Sequence, residues 1–198
     1  MKIIVLFPTE TEASQFQRAD VTSLISGVGL TATTFSTMKA IQQQADILIL
    51  AGIAGMYPAS HLHINQVVLV ESEVEADFGF FTSSGFVHMA HLPIEMTFTR
   101  RHTLHCPDLP SALPFQKVRG ASVNAAMTPF IDSTELEIEN MEGAAFFYTC
   151  LQEKQRFLQI RSISNLVEIG NDDWDMHSAV AALTAGLHQL IDFLQNEK

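Results

Sequence analysis

The chain has 198 residues, of which 47% are hydrophobic, and a formal net charge of −11. This length suits one α/β domain with a well-filled core, and no apolar run reaches the roughly 18 residues that a membrane span requires. Only 11 Lys and Arg residues are present and they are scattered, which argues against a surface for nucleic acid or anionic membrane and favours a protein that binds small molecules.

Strand and helix patterns alternate along the whole chain. Continuous apolar runs predict buried strands, and apolar residues at helical spacing predict helices. In chain order the prediction is a strand at 2–7, a short helix at 13–18, a strand at 21–25, a helix at 30–44, strands at 47–50, 66–73 and 117–123, a helix after Gly143, a strand at 157–163 and an amphipathic helix at 179–194. Loops and an edge strand are expected between residues 77 and 114. With neither repeat nor linker, residues 1–198 are predicted to form one domain, a mostly parallel or mixed sheet with helices on both sides.

The cysteines and the N-terminal segment bear on the compartment. Cys106 and Cys150 lack metal-type spacing, which favours reduced thiols in a cytoplasmic protein. The first apolar run breaks at Pro8 and is too short for a signal peptide, so it is interpreted as a first strand. We therefore expect a cytoplasmic location and no membrane partner.

Two glycine-rich stretches, residues 26–29 and 51–55, each follow a predicted strand. The first also precedes a helix, which is the geometry for an anion or a ribose at a helix N-terminus. It lacks the third glycine of a dinucleotide fingerprint, and the second lacks the Gly-Lys-Ser/Thr ending of a triphosphate-binding loop, so no cofactor is predicted. Either stretch alone is explained as a structural turn. Together they predict a pocket at the carboxyl edge of the sheet.

Glu142 lies between a polar loop at 133–140 and an apolar run at 144–151 that predicts a buried helix. A carboxylate there would stand at the mouth of a helix, and Gly143 would let a ligand approach the backbone closely. Taken alone, Glu142 is better explained as an acidic residue that the helix dipole favours in a first turn.

Six blocks, in order over nearly the whole chain, resemble the nucleoside phosphorylase and nucleosidase superfamily. They are Glu10-Thr11-Glu12-Ala13, Ser26-Gly27-Val28-Gly29, Ala51-Gly52-Ile53-Ala54-Gly55, Ala76-Asp77-Phe78-Gly79, Met141-Glu142-Gly143-Ala144-Ala145 and Arg161-Ser162-Ile163-Ser164-Asn165. Residues 164–168, with Asn171 and Trp174, resemble the futalosine hydrolases of the alternative menaquinone pathway. The resemblance implies a three-layer α/β/α fold with a mixed central sheet and cleavage of an N-ribosidic bond.

The resemblance also implies roles for individual residues. Glu142 would accept hydrogen bonds from the ribose hydroxyls, and Met141 would pack on the sugar. Glu12 matches the position that orients the attacking water as general base, with Glu10 as the alternative. The remaining implied substrate-binding residues are Gly27, Gly52, Ile53, Ala54, Phe78, Val123 and Ser164.

Asn165 departs from the pattern of the adenosine-type nucleosidases, which usually carry an aspartic acid that donates to purine N7. An amide donates a hydrogen bond but cannot transfer a proton. This difference favours a 6-oxopurine leaving group, hypoxanthine, that departs as an anion or is protonated by solvent.

The distribution of basic residues predicts water as the nucleophile. Phosphorylases of the superfamily usually carry an arginine just before the second glycine stretch, and residues 46–52 contain no basic residue. Arg18 is expected to be solvated. Arg100, Arg101 and His102 form the one compact basic cluster, either a solvated turn or a site for the benzoate arm of futalosine.

Four histidines raise the question of a metal. His61 and His63 would share a face of a strand, and His88 and His91 a helical face, but neither pair has a third ligand at convincing spacing, so no metal is predicted.

Two alternative functions remain open. One is a different purine nucleosidase or phosphorylase, of the methylthioadenosine/S-adenosylhomocysteine or inosine type, and the other is a non-catalytic nucleoside-binding homologue. In each case we expect a nucleoside as the small-molecule partner and a homo-oligomer as the assembly.

Overall fold

The computed structural model describes residues 1–92, 103–110, 112–171 and 173–196. Its strands are β1 (Ile3–Phe7), β2 (Thr22–Ile25), β3 (Ile47–Met56), β4 (Val67–Glu75), β5 (Gly79–Thr82), β6 (Gly85–His88), β7 (Leu104–His105), β8 (Gln116–Ser122), β9 (Ile138–Asn140) and β10 (Phe157–Leu166). Its α-helices are α1 (Glu10–Ala13), α2 (Leu30–Ile41), α3 (Gly143–Gln152) and α4 (Met176–Asn196), and a 3₁₀ turn covers Met89–His91.

The apolar runs form strands that are buried on both faces, and this burial creates three layers. Alternate residues of β1 belong to two different apolar clusters, Ile4 to one and Ile3 to the other. The first cluster includes Phe146 and Phe147 of α3, and the second includes Leu187 of α4. The predicted three-layer α/β/α domain with helices on both faces of the sheet is confirmed.

The main sheet is mixed, as predicted. Its strand order is β10-β4-β8-β9-β3-β1-β2, with β7 attached to β4. Strand β10 pairs with β4 and also with β3, so five strands form a closed circuit from which β1 and β2 extend. Strands β1, β3 and β10 run parallel to one another, so their carboxyl ends meet at one edge of the sheet.

Several predicted boundaries differ from the structure, among them the end of β10 at Leu166 rather than 163 and the start of α4 at Met176 rather than 179. The first helix begins at Glu10, because the hydroxyl of Thr9 caps it, and ends at Ala13 instead of covering 13–18. Helix α2 ends at Ile41 rather than residue 44. The stretch 51–55 is the interior of β3 and not a glycine turn, because β10 and β9 pair with it and hold it extended.

The middle of the chain forms a hairpin and an edge strand. Strands β5 and β6 form a separate two-stranded sheet, and the two-residue β7 pairs antiparallel with β4. The basic cluster at 100–102 lies outside the described residues. Within the described ranges, no helix combines the length and the apolar character needed to cross a membrane.

Candidate active site

A cavity of about 190 Å³ lies where the carboxyl ends of β1, β3 and β10 meet. Its walls come from the loop after β1, the last residues of β3 and β10, and the junction between β9 and α3. The residues lining it are Pro8, Thr9, Glu12, Val28, Ile53, Ala54, Gly55, Ala126, Met127, Glu139, Asn140, Met141, Glu142, Ser164, Asn165, Val167, Trp174 and Met176. The predicted position of the pocket, at the carboxyl edge of the sheet, is confirmed.

Glu12 is held in the cavity by the short helix after β1. Thr9 caps this helix, since its hydroxyl accepts from the Glu12 amide at 3.2 Å, and the same hydroxyl donates to Glu12 Oε2 at 2.6 Å. Glu12 Oε1 accepts from the backbone N–H of Ile53 at 3.0 Å. Burial raises the pKa of Glu12, an effect that these two bonds and the charge of Arg161 partly offset. A buried carboxylate with a raised pKa suits a general base.

Glu142 occupies the N-cap position of α3, yet its side chain makes no hydrogen bond to its own helix. Its Oε1 instead accepts from the amide of Gly29 at 3.2 Å, and its Oε2 lies 3.2 Å from Nη2 of Arg161. The first glycine stretch therefore meets this carboxylate through its backbone. Glu142 and Glu12 line the same cavity, so the structure brings together the two carboxylates that the sequence singled out.

Arg161 is the main residue of the site that the sequence analysis left without a role. It is fully buried in β10, and its guanidinium donates to Ile53 O at 3.0 Å and to Asn140 Oδ1 at 3.1 Å besides its contact with Glu142. One signal was available, because Arg161 interrupts a strand whose first nine residues are all buried. A buried cation in such a strand requires a buried anion beside it.

Asn165 reaches the cavity because β10 is irregular at this point. The pairing with β3 shifts register between Ile163 and Asn165, and such a bulge re-aims the side chains next to it. Asn165 Oδ1 accepts from the Ser164 hydroxyl at 2.8 Å, and Nδ2 donates to Leu166 O at 3.2 Å. Gly55 makes space for the amide, since a Cβ there would come within 3.1 Å of Asn165 Nδ2.

The other implied substrate-binding residues divide into two groups. Those that line the cavity are Ile53, Ala54, Met141 and Ser164. Those outside its lining are Gly27, Gly52, Phe78 and Val123.

Each residue of the second group has a different structural position. Gly27 adopts φ 82° in the turn before α2. Gly52 lies beneath the site, where a Cβ would come within 2.9 Å of Glu12 Oε1 and would also overlap Arg161. Val123 is fully buried behind the cavity in a cluster with Met141. Phe78 is 43% exposed and packs edge-on against His88, with ring centroids 6.3 Å apart.

Several lining residues carried no predicted role, among them Glu139, Met127 and Trp174. Glu139 accepts from the Met127 amide at 2.8 Å and from the Tyr57 hydroxyl at 3.0 Å. The first bond helps to hold Met127 at φ 59°, a left-handed conformation that costs free energy in a residue with a side chain. Trp174 is 47% exposed and offers an apolar face to the cavity.

Cationic side chains lie away from the cavity surface. Arg18, which was expected to be solvated, instead forms ion pairs with Asp20 at 2.8 Å and with Asp192 at 2.6 Å. Among the described lining residues there are three carboxylates and no Lys, Arg or His.

The histidine pairs do not have the predicted geometry. His61 and His63 lie in the loop between β3 and β4, not on a strand. His88 ends β6 while His91 is in the 3₁₀ turn, with their rings 6.0 Å apart. In the described part of the chain, no group of three or more His, Cys, Asp or Glu residues is arranged to hold a metal ion.

Comparisons with known proteins identify similar sequences and similar folds over nearly the whole chain. A curated relative, the futalosine hydrolase of Thermus thermophilus, is 27% identical, over 95% of this chain and 94% of that protein. The 5′-methylthioadenosine nucleosidase of Arabidopsis thaliana superposes with a TM-score of 0.80 at 17% identity, covering 100% of this chain and 97% of that one. The futalosine hydrolase of Helicobacter pylori gives a TM-score of 0.77 at 15% identity, covering 98% of each chain.

No family model matches the chain. The six sequence blocks nevertheless lie in one fold, and five of them contribute residues to one cavity, which is lined by two of the predicted carboxylates. A curated relative matches over nearly the full length. Over nearly its whole length this chain is therefore similar to a futalosine hydrolase, and its fold is that of solved nucleosidases.

Proposed function

We propose that the protein hydrolyses the N-ribosidic bond of futalosine, releasing hypoxanthine and dehypoxanthinylfutalosine for menaquinone biosynthesis. The observation that carries this proposal is the cavity that combines Glu12, Glu142 and Asn165. The similarity to a curated futalosine hydrolase supports the choice of substrate.

Cleavage of the bond builds positive charge on the ribose and negative charge on the departing base. Interactions that strengthen as this charge develops accelerate the reaction. Glu142 would accept hydrogen bonds from the ribose hydroxyls, with its orientation fixed by Gly29 and Arg161. Glu12 would take a proton from water as that water attacks the anomeric carbon. Its raised pKa favours this transfer, because a more basic carboxylate is a stronger proton acceptor.

Asn165 would stabilise the leaving group without protonating it. Its Nδ2 currently donates to the carbonyl of the adjacent residue at 3.2 Å, a bond that rotation of the amide can exchange for one to purine N7 or O6. A 6-oxopurine offers both atoms as acceptors. Hypoxanthine leaves as an anion more readily than adenine, so it does not need the proton that an aspartic acid would supply.

Water is the proposed nucleophile rather than phosphate. The described cavity lining presents carboxylates and no cationic side chain, and Arg161 behind it is already engaged by Glu142. An entering phosphate dianion would meet net repulsion, whereas a neutral water would not.

Several finer features belong to the same proposal. The enzyme would act in the cytoplasm, need no cofactor and assemble as a homo-oligomer. The benzoate arm of futalosine would extend from C5′ toward a cation, for which the cluster at 100–102 is the candidate from the sequence. Trp174, exposed at the rim, would cover an apolar face of the bound nucleoside.

Structural neighbours that include methylthioadenosine nucleosidases favour one second candidate, a nucleosidase for adenine substrates. Asn165 argues against it, because adenine needs a proton at N7 to leave. A non-catalytic role is disfavoured because both carboxylates line the cavity, where each costs desolvation free energy.

A substrate panel tests the proposal. Futalosine, inosine, adenosine, methylthioadenosine and S-adenosylhomocysteine are incubated with the protein, with and without phosphate, and free base is quantified. Futalosine is expected to give the highest kcat/KM, in phosphate-free buffer and without ribose 1-phosphate. A preference for methylthioadenosine, or a strict requirement for phosphate, would overturn it.

A further inference from the structure

The N-terminus of α3 is capped by side chains from other strands, which leaves Glu142 free to face the cavity. Asn140 Oδ1 accepts from the amides of Glu142 at 3.0 Å and Gly143 at 2.7 Å, and the Ser122 hydroxyl accepts from Ala144 at 2.7 Å. An acidic N-cap residue ordinarily accepts such bonds itself. Here the substitute caps make that unnecessary.

The same Asn140 oxygen also accepts from Nη2 of Arg161 at 3.1 Å. With the Ser122 hydroxyl at 3.3 Å, four donors therefore converge on Oδ1, and these hydrogen bonds form only if the amide oxygen points toward them. If the amide were flipped, its NH₂ group would face two backbone N–H groups and a guanidinium, all of them donors. The orientation of Asn140 thus fixes both the start of α3 and the guanidinium that pairs with Glu142.

Glu73 holds the Asn140 amide in that orientation by accepting a hydrogen bond from its NH₂ group. It is fully buried on β4, outside the cavity lining, and its Oε1 accepts from Asn140 Nδ2 at 2.8 Å, a shorter bond than the 3.3 Å one from Nδ2 to Ala121 O. The same oxygen accepts from Gln159 Nε2 at 2.8 Å, and Oε2 accepts from the Ser122 hydroxyl at 2.9 Å. A buried carboxylate is costly to desolvate, and burial raises the pKa of Glu73 to about 7. The charge of Arg161 and the three hydrogen bonds partly offset that rise in pKa.

We propose that Glu73 is a positioning residue: by accepting from Asn140 Nδ2, it holds the Asn140 oxygen toward Glu142, Gly143 and Arg161, and so keeps the Glu142 carboxylate aimed at the ribose hydroxyls. The proposal rests on the nucleosidase function above. It predicts that loss of the Glu73 acceptor impairs recognition of the ribose hydroxyls specifically, rather than lowering turnover uniformly.

The test compares kcat/KM for futalosine with kcat/KM for its 2′-deoxy analogue. In the wild type this ratio reports the hydrogen bond from the 2′-hydroxyl to Glu142 and is expected to be roughly 10 to 100, the range for a hydrogen bond to a charged group. Glu73→Met removes the acceptor at similar volume and is expected to reduce the ratio at least about fivefold. Glu73→Gln retains an amide oxygen for Asn140, while its NH₂ can donate to the Ser122 hydroxyl, so it should keep the ratio within about twofold of the wild type.

Glu75→Gln is the matched control, because Glu75 lies two residues further along the same strand and is half-buried. It should leave the ratio unchanged. If Glu73→Met does not fold, Gly120→Ala takes its place, because a methyl at 120 would come within 2.6 Å of Glu73 Oε1 and displace the carboxylate with its charge intact. Its ratio is also expected to fall.

Two results would overturn the proposal. A folded Glu73→Met variant, or Gly120→Ala in its place, could lose activity equally on both substrates, which would give Glu73 a purely structural role. Alternatively, Glu73→Gln could reduce the ratio of the two kcat/KM values as much as Glu73→Met does. That result would show that the charge of Glu73, rather than its acceptance of a hydrogen bond, matters. If the wild type releases base from neither substrate, the proposed function itself is what fails.

Discussion

Replacement of Glu12 by glutamine separates binding from chemistry in this site. The Glu12 carboxylate accepts one hydrogen bond from the Ile53 N–H and one from the Thr9 hydroxyl. A glutamine can keep both contacts, with its oxygen toward Ile53 and its NH₂ group toward Thr9, because a hydroxyl can accept as well as donate. The substitution therefore preserves the shape and the contacts of the wall and removes only the base.

Because the contacts are conserved, the expected fall in kcat equals the contribution of general base catalysis. General base catalysis typically contributes roughly 10²- to 10⁴-fold, so kcat should fall by about that factor in Glu12→Gln while KM changes by less than about threefold. Steady-state assays of hypoxanthine release from futalosine measure both parameters. Thermal unfolding of the variant should match that of the wild type.

The pH dependence gives a second measure of the same residue. Glu12 must be ionised to accept a proton, so wild-type kcat/KM should decline as pH falls through the Glu12 pKa. Because burial raises that pKa, the decline should begin at a higher pH than an ordinary glutamate would give. The residual activity of Glu12→Gln should lack this acidic limb.

Glu10→Gln is the matched control, since Glu10 lies in the same short helix but is exposed. Its activity should equal that of the wild type. Near-normal turnover in Glu12→Gln, or a steep loss in Glu10→Gln, would refute the assignment of the base and make Glu10 the next candidate.

Other substitutions test the remaining parts of the site. Glu142→Ala should raise KM and lower kcat, as measured by steady-state kinetics. It should also reduce the free energy of unfolding by roughly 3–5 kcal/mol, as measured by chemical denaturation, because Arg161 loses its buried partner. Asn165→Asp should raise kcat/KM for methylthioadenosine relative to futalosine, since an acid can protonate N7; an unchanged ratio would contradict the leaving-group argument. Analytical ultracentrifugation should detect a homo-oligomer at working concentration, and a monomer that is fully active at high dilution would rule this out.

The resemblance to a superfamily predicted that Glu12, Glu142 and Asn165 lie close together, whereas four other residues that it implied lie outside the cavity lining. Glu12, Glu142 and Asn165 are distant in sequence, and they converge because each follows or ends an element that reaches one edge of the sheet. The hydrophobic runs likewise identified β1, β8 and α4 to within a few residues.

The features that the sequence did not reveal depend on contacts between distant segments. Residues 51–55 look like a glycine turn, but pairing with β9 and β10 extends them as a strand. The burial of Arg161 depends on Glu142, Asn140 and the Ile53 carbonyl, which lie between 19 and 108 residues away along the chain. Local patterns contain no information about such partners.

Gly52 shows that a missing side chain can be a functional requirement without any contact to a ligand. By backbone criteria the position would accept alanine, since it lies inside a β-strand and has no left-handed φ. The space that the methyl would need is nevertheless occupied by the side chains of Arg161 and Glu12. Gly52→Ala would therefore displace the buried guanidinium that pairs with Glu142 as well as Glu12, and we expect it to lower both the free energy of unfolding and turnover, although no backbone criterion disfavours it.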